Sequence, residues 1–181
     1  MSIIGALVAY KGKPAKVVSS STHKYEISFS DSSSQKVRAK DFQFIHPEFS
    51  LVHSDCPDVD TSILSDLDIE SLSLKELTEW LFDDFTSQNA WFIYLMSVDG
   101  LYFYWNKNVL VLRPIDQIEI IKLKRKEKVL EEESLKRCIK NLGNNSYDIE
   151  DIFWIHEIEQ VAINQSKHSK AMSALSIDST P

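Results

Sequence analysis

Residues 73–113 constrain the fold more than any other stretch, because a helix start, a second helix and a hairpin follow one another closely there. Ser73 and Glu76 have the spacing of a capping box. In that motif the serine side chain accepts a hydrogen bond from the third helical amide, and the glutamate accepts one from the serine amide. The leucines that follow recur at three- and four-residue spacing, which places them on one helical face. The sequence therefore predicts a short amphipathic helix that begins after Ser73.

A second helix and a hairpin are predicted directly after the first helix. Thr86 or Ser87 can cap the second helix, and Gly100 can end it. Two β-prone runs then flank the polar loop Asn106-Lys107-Asn108. Two short helices joined by a tight turn and followed by a hairpin are typical of a winged helix-turn-helix.

The second predicted helix lacks the side chains with which a recognition helix reads DNA. Reading bases requires polar and basic groups in the major groove, together with cations that hold the phosphates. Between Thr86 and Gly100 there is no lysine or arginine, and residues 90–96 are apolar nearly all round. Such a helix is typically buried on more than one side. The sequence therefore favours a packing or protein-docking role for this helix over DNA reading.

Charge is distributed unevenly along the 181 residues, whose net charge is −7. Residues 1–47 carry seven basic and three acidic side chains, a net charge of +4. Residues 48–100 carry one basic and twelve acidic side chains, a net charge of −11, and the remainder is balanced. A polyanion would therefore have to be bound by the N-terminal residues.

Short apolar and alternating runs within residues 1–47 predict four or five strands. Strands at this spacing indicate a small curled barrel of the SH3-like kind. We expect six basic side chains to converge on one rim of this barrel and to contact RNA phosphates; they are Lys11, Lys13, Lys16, Lys36, Arg38 and Lys40. The alternative interpretation is an ordinary solvated surface.

Residues 48–72 are rich in Asp, Ser and Pro and predict an acidic linker with one short helix near residues 63–67. Carboxylates at this density could ligand Mg²⁺ or Ca²⁺, but the glycine and the closing glutamate of a calcium loop are missing. Solvation is the simpler interpretation of these aspartates, which are Asp55, Asp58, Asp60, Asp66 and Asp68.

Residues 114–181 predict a helical extension. One long charged helix begins near Pro114 and ends at Gly143, an amphipathic helix covers residues 148–165, and a short helix follows Ser166. Opposite charges at four-residue spacing make the long helix a solvated spacer rather than an RNA-binding stripe. The sequence thus predicts an α+β chain with an SH3-like barrel, an acidic linker, a winged helix-turn-helix and a helical extension, at 1–47, 48–72, 73–113 and 114–181.

Motifs of enzymes and metal sites are absent from the sequence. It has no Gly-x-Ser-x-Gly, no Gly-Lys-Ser/Thr and no histidine pair at four-residue spacing, and Cys56 and Cys138 are not in a Cys-x-x-Cys motif. We therefore expect no catalytic residue, metal or cofactor in this stretch and a reducing, cytoplasmic setting. The apolar run 3–9 lacks a basic leader and is too short to span a bilayer, so it is predicted to be the first strand.

Three segments, taken in their order along the chain, resemble the N-terminal region of bacterial RNase II-family exoribonucleases. They are residues 8–17 (VAYKGKPAKV), Ala90-Trp91 together with residues 99–103 (DGLYF), and residues 169–181 (SKAMSALSIDSTP). The resemblance covers most of the chain and is to the variety with a small β-domain and a winged helix ahead of the nuclease domain.

The resemblance implies a non-catalytic N-terminal piece of a 3′–5′ exoribonuclease that helps to guide RNA. Family members hold Mg²⁺ with aspartates of a central catalytic domain, and nothing in residues 1–181 matches that motif. The expected partners are RNA, bound weakly at the barrel rim, and the protein's own catalytic domain, but neither DNA nor a membrane. The alternative is a protein-docking module that holds a partner or the catalytic domain with the acidic winged helix.

Overall fold

The computed structural model describes residues 3–22, 24–55, 57, 59–65, 69–163 and 169–175. This part of the chain has the mixed α+β architecture predicted from the sequence, with a five-stranded and a three-stranded antiparallel sheet and five α-helices. The chain divides into two compact units, Met1–Glu119 and Ile120–Pro181. Some residues discussed above lie outside the described part; these are Cys56, Asp58, Asp66, Asp68, Ser166 and residues 176–181.

The first sheet contains five strands, in agreement with the four or five predicted. They are β1 (Leu7–Tyr10), β2 (Lys13–Ser21), β3 (Lys24–Ser28), β4 (Ser34–Val37) and β5 (Gln43–His46), in the spatial order β4-β3-β2-β1-β5. β1 begins at Leu7 rather than at Ile3. β4 and β5 are the two edges of an open sheet, so closure into an SH3-like barrel is not confirmed.

Successive side chains of a strand point to opposite faces of the sheet. Buried apolar side chains are found on both faces. On one face a small core includes Val8, Ala15, Val17 and Ile27. On the other face Leu7, Ala9 and Ile45 join a larger core that also contains buried residues of the helices, such as Trp91. The sheet and the helices that follow it therefore share one core within the first unit.

The remainder of the first unit contains the predicted pair of helices and the hairpin. Its elements are β6 (Ser71–Leu72), α1 (Leu74–Phe82), α2 (Ser87–Asp99), β7 (Phe103–Asn106) and β8 (Val109–Leu112). The strands pair in the order β6-β8-β7. β6 was not predicted from the sequence, because two residues are too few to show an alternation of polar and apolar side chains.

The ends of both helices follow the local sequence. Ser73 Oγ accepts from the amide of Glu76 at 3.2 Å, and the Glu76 carboxylate accepts from the amide of Ser73 at 2.9 Å, which confirms the capping box. Thr86 rather than Ser87 caps α2, since its hydroxyl accepts from the amide of Asn89 at 3.2 Å. Gly100 ends α2 with a φ of 67°, a conformation that favours glycine.

The interior position of α2 explains its apolar sequence. Ala90, Trp91, Phe92 and Ile93 are all buried, as predicted from an apolar surface that runs nearly all round the helix. The helix packs against both α1 and β5. These four buried side chains therefore stabilise the fold.

Three helices contribute to the second unit, and the first of them begins in the first unit. α3 (Ile115–Gly143) begins directly after Pro114 and ends at Gly143, as predicted. α4 (Ile152–Ala162) is shorter than the predicted helix 148–165, because a 3-10 turn precedes it, and α5 (Lys170–Ala174) follows. Cys138 and Trp154 lie in the small core of this unit, and the indole NH of Trp154 donates to Ser134 Oγ at 2.8 Å.

Candidate nucleic-acid interface

Two of the six basic residues lie together at one end of the five-stranded sheet. A two-residue turn, Lys11-Gly12, joins β1 to β2, with φ angles of 49° and 77°. Positive φ at both positions is required for the type I′ turns that connect strands most tightly. Lys11 is therefore in the turn, Lys13 directly follows it, and both side chains are exposed.

The loop between β3 and β4 lies beside this turn. In a meander of antiparallel strands, alternate connections are at the same end of the sheet, so the β1–β2 and β3–β4 connections are neighbours. A cavity of about 350 Å³ lies between them. It is lined by residues of both connections and of the adjoining strand ends, which are Tyr10, Lys11, Lys13, Pro14, Phe29, Ser30, Asp31, Ser33 and Gln35.

Two aromatic rings form the apolar part of this cavity. The ring centroids of Tyr10 and Phe29 are 6.3 Å apart, and Nζ of Lys11 is 5.3 Å from the Tyr10 centroid, within the range of a cation–π contact. The Tyr10 hydroxyl accepts from Nε2 of Gln35 at 3.2 Å. The cavity thus combines an aromatic surface with two ammonium groups, a combination that suits an anion with a flat ring system.

A carboxylate moderates the positive charge of the cavity. Oδ1 of Asp31 accepts from the hydroxyl of Ser33 at 2.5 Å and from its amide at 2.9 Å. These hydrogen bonds, with a smaller contribution from the charge of Lys13, hold the pKa of Asp31 below its ordinary value of 3.8. Asp31 is therefore ionised at neutral pH, and its charge offsets part of the attraction that Lys13 exerts on an anion.

Lys16 and Lys36 lie away from the cavity. Lys16 lies between Ala15 and Val17 in β2, and both of those side chains are buried in the small core. The side chain of Lys16 therefore points to the opposite face of the sheet, where its Nζ is 6.0 Å from the Phe49 ring centroid. Lys36 is directly opposite Glu26 on the neighbouring strand. Because opposite charges face each other at this pair, little net charge is presented to a phosphate there.

Arg38 and Lys40 lie in the connection from β4 to β5, at the other end of the sheet. The length of β4 separates them from the cavity by roughly 13 Å. The Arg38 guanidinium donates to Asp41 from Nε at 3.0 Å and from a terminal nitrogen at 3.3 Å. This pairing raises the pKa of Arg38 and lowers that of Asp41.

The expectation that all six basic residues converge on one rim is therefore not met. The structure brings Lys11 and Lys13 together and places the other four on another face or at the opposite end. The same cavity is also lined by four residues that were not predicted from the sequence, which are Tyr10, Phe29, Asp31 and Gln35. The signal for Phe29 was an aromatic residue at the end of an alternating strand, next to an Asp-Ser turn.

Metal ligands are not gathered in the described part of the chain, where no group of three or more His, Cys, Asp or Glu side chains could hold an ion. Asp60, one of the aspartates considered above, accepts from the amide and the hydroxyl of Ser62 at 2.9 and 2.6 Å. It therefore organises a local turn. In the same part of the chain no helix is both long and apolar enough to cross a membrane.

Comparisons with known proteins do not assign this chain to a family. No family model, no curated protein and no solved structure matches it.

Proposed function

We propose that this chain is the non-catalytic N-terminal accessory region of an RNase II-like 3′–5′ exoribonuclease, and that it engages RNA weakly at one end of its first sheet. In this proposal the five-stranded sheet is an SH3-like module and residues 73–113 are a winged helix-turn-helix. Mg²⁺ would belong to the catalytic domain of the parent enzyme. The resemblance of the three segments to that family supports the identity of the parent.

One observation supports the RNA contact above all others. Lys11 and Lys13 lie beside the Tyr10–Phe29 aromatic pair in an open cavity of about 350 Å³. Proteins that bind single-stranded nucleic acid combine cations, which follow the backbone, with aromatic rings, on which bases stack. A cavity with both features is a better candidate for RNA than a lysine-bearing surface without an aromatic ring.

The charge of the site limits its strength. Lys11 and Lys13 are accompanied by the ionised Asp31, and the other four predicted contacts are distant from the cavity. Each phosphate that is neutralised on a single strand contributes about 0.7 to the slope of log K against log salt concentration. Two contacts therefore give weak binding that declines gently with salt, as suits an accessory role.

Replacement of both cavity lysines tests the proposal. Binding of a fluorescein-labelled 20-nucleotide poly(U) RNA is measured by anisotropy at several salt concentrations for the wild type and for Lys11→Glu/Lys13→Glu. We expect weaker binding and a slope reduced by about 1.4, the value for two lost phosphate contacts. A double variant with unchanged affinity and slope would contradict an RNA site at this end of the sheet.

A matched control reverses the charge of two lysines on α3. Lys124 and Lys126 are exposed in the middle of that helix, and we expect Lys124→Glu/Lys126→Glu to retain both affinity and slope. An equal loss in both double variants would mean that RNA responds only to net charge.

The parent is tested separately, because the resemblance predicts an aspartate-rich nuclease segment encoded after Pro181.

A further inference from the structure

A tryptophan is exposed on the first helix of the first unit. Trp80 of α1 is 49% exposed, whereas Trp91 and Trp154 are buried. Tryptophan is highly buried on average, and exposed tryptophans are over-represented among the residues that dominate protein–protein binding. Since Trp80 lies on an exposed surface of α1, it adds little to the core and is available to a ligand.

The helix end next to Trp80 has an excess of negative charge. Asp83 and Asp84 follow the last residue of α1, and both are exposed. The C-terminal end of a helix is itself negative and is stabilised by cations, but the last turn of α1 contains no basic residue. The one basic side chain of α1, Lys75, lies one turn earlier than Glu79 and pairs with it at 3.7 Å.

Two carboxylates, the C-terminal end of α1 and an exposed indole thus lie within five consecutive residues, 80–84. The amide of Asp83 donates to the Glu79 carbonyl at 2.9 Å, so Asp83 caps the last turn of α1 three residues after Trp80, and Asp84 follows outside the helix. Each of the three features attracts a cation for its own physical reason. Among the ion pairs of the described residues, none includes either aspartate.

We propose that this end of α1, defined by Trp80, Asp83 and Asp84, is a docking surface for an arginine-bearing basic segment of a protein. An arginine guanidinium is planar, so it can stack on the indole ring and donate hydrogen bonds to a carboxylate at the same time. The net charge of −11 on residues 48–100 attracts a basic segment and repels RNA. The inference is independent of the RNA site, which is formed by other residues.

The test uses defined peptides of matched length. A fluorescein-labelled peptide with four repeats of Arg-Ala-Ala is titrated with the full chain and followed by anisotropy, beside the Lys-Ala-Ala and Glu-Ala-Ala peptides. We expect saturable binding of the arginine peptide, binding of the lysine peptide that is at least threefold weaker, and no binding of the glutamate peptide. Equal binding of the arginine and lysine peptides would overturn the stacking of a guanidinium on Trp80.

Variants locate the binding surface. Trp80→Ala and Asp83→Asn/Asp84→Asn are each expected to lower the affinity for the arginine peptide about tenfold. Trp80→Phe should keep part of the affinity, because a phenyl ring still offers a π face. Asparagine is chosen at position 83 because it tolerates the left-handed conformation, with a φ of 64°, that Asp83 adopts. Thermal unfolding followed by circular dichroism verifies that each variant is folded.

Controls separate this surface from general acidity and from self-association. Glu127→Gln/Glu133→Gln removes two exposed charges from α3 and should leave the peptide affinity unchanged. The same loss in this control would overturn the proposal in favour of unspecific charge attraction. Sedimentation of the protein alone provides a second check, since a dimer that Trp80→Ala dissociates would mean that a second copy occupies the surface and would also overturn the proposal.

Discussion

The hydroxyl of Ser87 lies 3.1 Å from Nδ1 of His46, and both side chains are buried where the end of β5 meets the start of α2. The hydroxyl donates to the Glu48 carbonyl at 2.7 Å. Nδ1 of His46 lies 2.8 Å from the Glu48 carbonyl oxygen and 3.0 Å from the Glu48 amide, and Nε2 lies 3.2 Å from the Phe85 carbonyl oxygen. The pair therefore connects β5 to α2 in the interior of the protein, and the hydroxyl hydrogen of Ser87 is donated to the Glu48 carbonyl.

Removal of the hydroxyl should destabilise this connection. Ser87→Ala removes the hydroxyl that donates to the Glu48 carbonyl and lies within hydrogen-bond distance of His46 Nδ1. We expect the free energy of unfolding to fall by about 0.5–1.5 kcal/mol, the net contribution of one hydrogen bond. Urea denaturation measures the change, and Ser20→Ala on the exposed part of β2 serves as the control with no expected effect.

The shared core predicts that the sheet and the helices of the first unit unfold together. Leu7 of β1 is fully buried in the same core as Trp91 of α2. Leu7→Ala should lower the free energy of unfolding by about 2–5 kcal/mol. In a protein fragment of residues 1–119, tryptophan fluorescence reports on the helices and circular dichroism reports on the whole fragment. The urea midpoints measured by the two methods should fall by the same amount. Two separate transitions, with only one displaced by the substitution, would mean that the sheet is an independent domain.

The second unit should lose stability in acid. The carboxylate of Asp151, whose side chain is fully buried, accepts from Asn141 Nδ2 at 2.7 Å, from the Asp148 amide at 3.0 Å and from Arg137 Nε at 3.4 Å. These contacts, the Asn141 hydrogen bond first, hold the pKa of Asp151 below its ordinary value of 3.8.

Because the pKa of Asp151 is lower in the folded than in the unfolded state, its stabilisation is complete above the unfolded value and is lost as the pH falls through the folded one. Asp151→Asn should therefore lower stability at neutral pH and reduce the decline in stability as the pH falls below about 4. Unfolding midpoints measured across this range for both proteins provide the comparison. An unchanged acid profile would show that Asp151 does not govern it.

Asp31 should oppose RNA binding at the proposed interface. Asp31→Asn keeps an oxygen that can accept from the Ser33 amide, but it removes the negative charge near Lys13. We expect RNA affinity at low salt to rise about threefold, as suits one exposed charge interaction. Glu127→Gln on α3 removes the same charge elsewhere and should change little. An unchanged or lower RNA affinity of the Asp31→Asn variant would mean that RNA does not bind at this cavity.

The features that were predictable from the sequence are those created by interactions between residues close together in the chain. The capping box at Ser73, the cap of α2 at Thr86 or Ser87, the stop at Gly100 and the long helix from Pro114 to Gly143 were all predictable, because the interactions that create them join residues at most four positions apart. β6 was missed, since it exists only through pairing with β8, about forty residues later in the chain.

The candidate site was predicted in part for the same reason. The excess of positive charge in residues 1–47 is a property of the sequence, and so is the absence of a basic face on α2. Which lysines meet was decided by the antiparallel order of the strands, which brings the turns after Tyr10 and after Ser28 to one end and Arg38 to the other. The neighbours of each charge, such as Asp31 near Lys13 and Asp41 on Arg38, became visible only in three dimensions.

The sequence alone thus determined where helices begin and end, which of them is apolar all round, and how charge is divided along the chain. These properties depend on residue type and on local spacing. The tertiary structure decided which strands are edges, which side of the sheet faces the helices, and which two of six cations share a cavity. Those outcomes depend on contacts between distant residues, and local propensity does not encode their register.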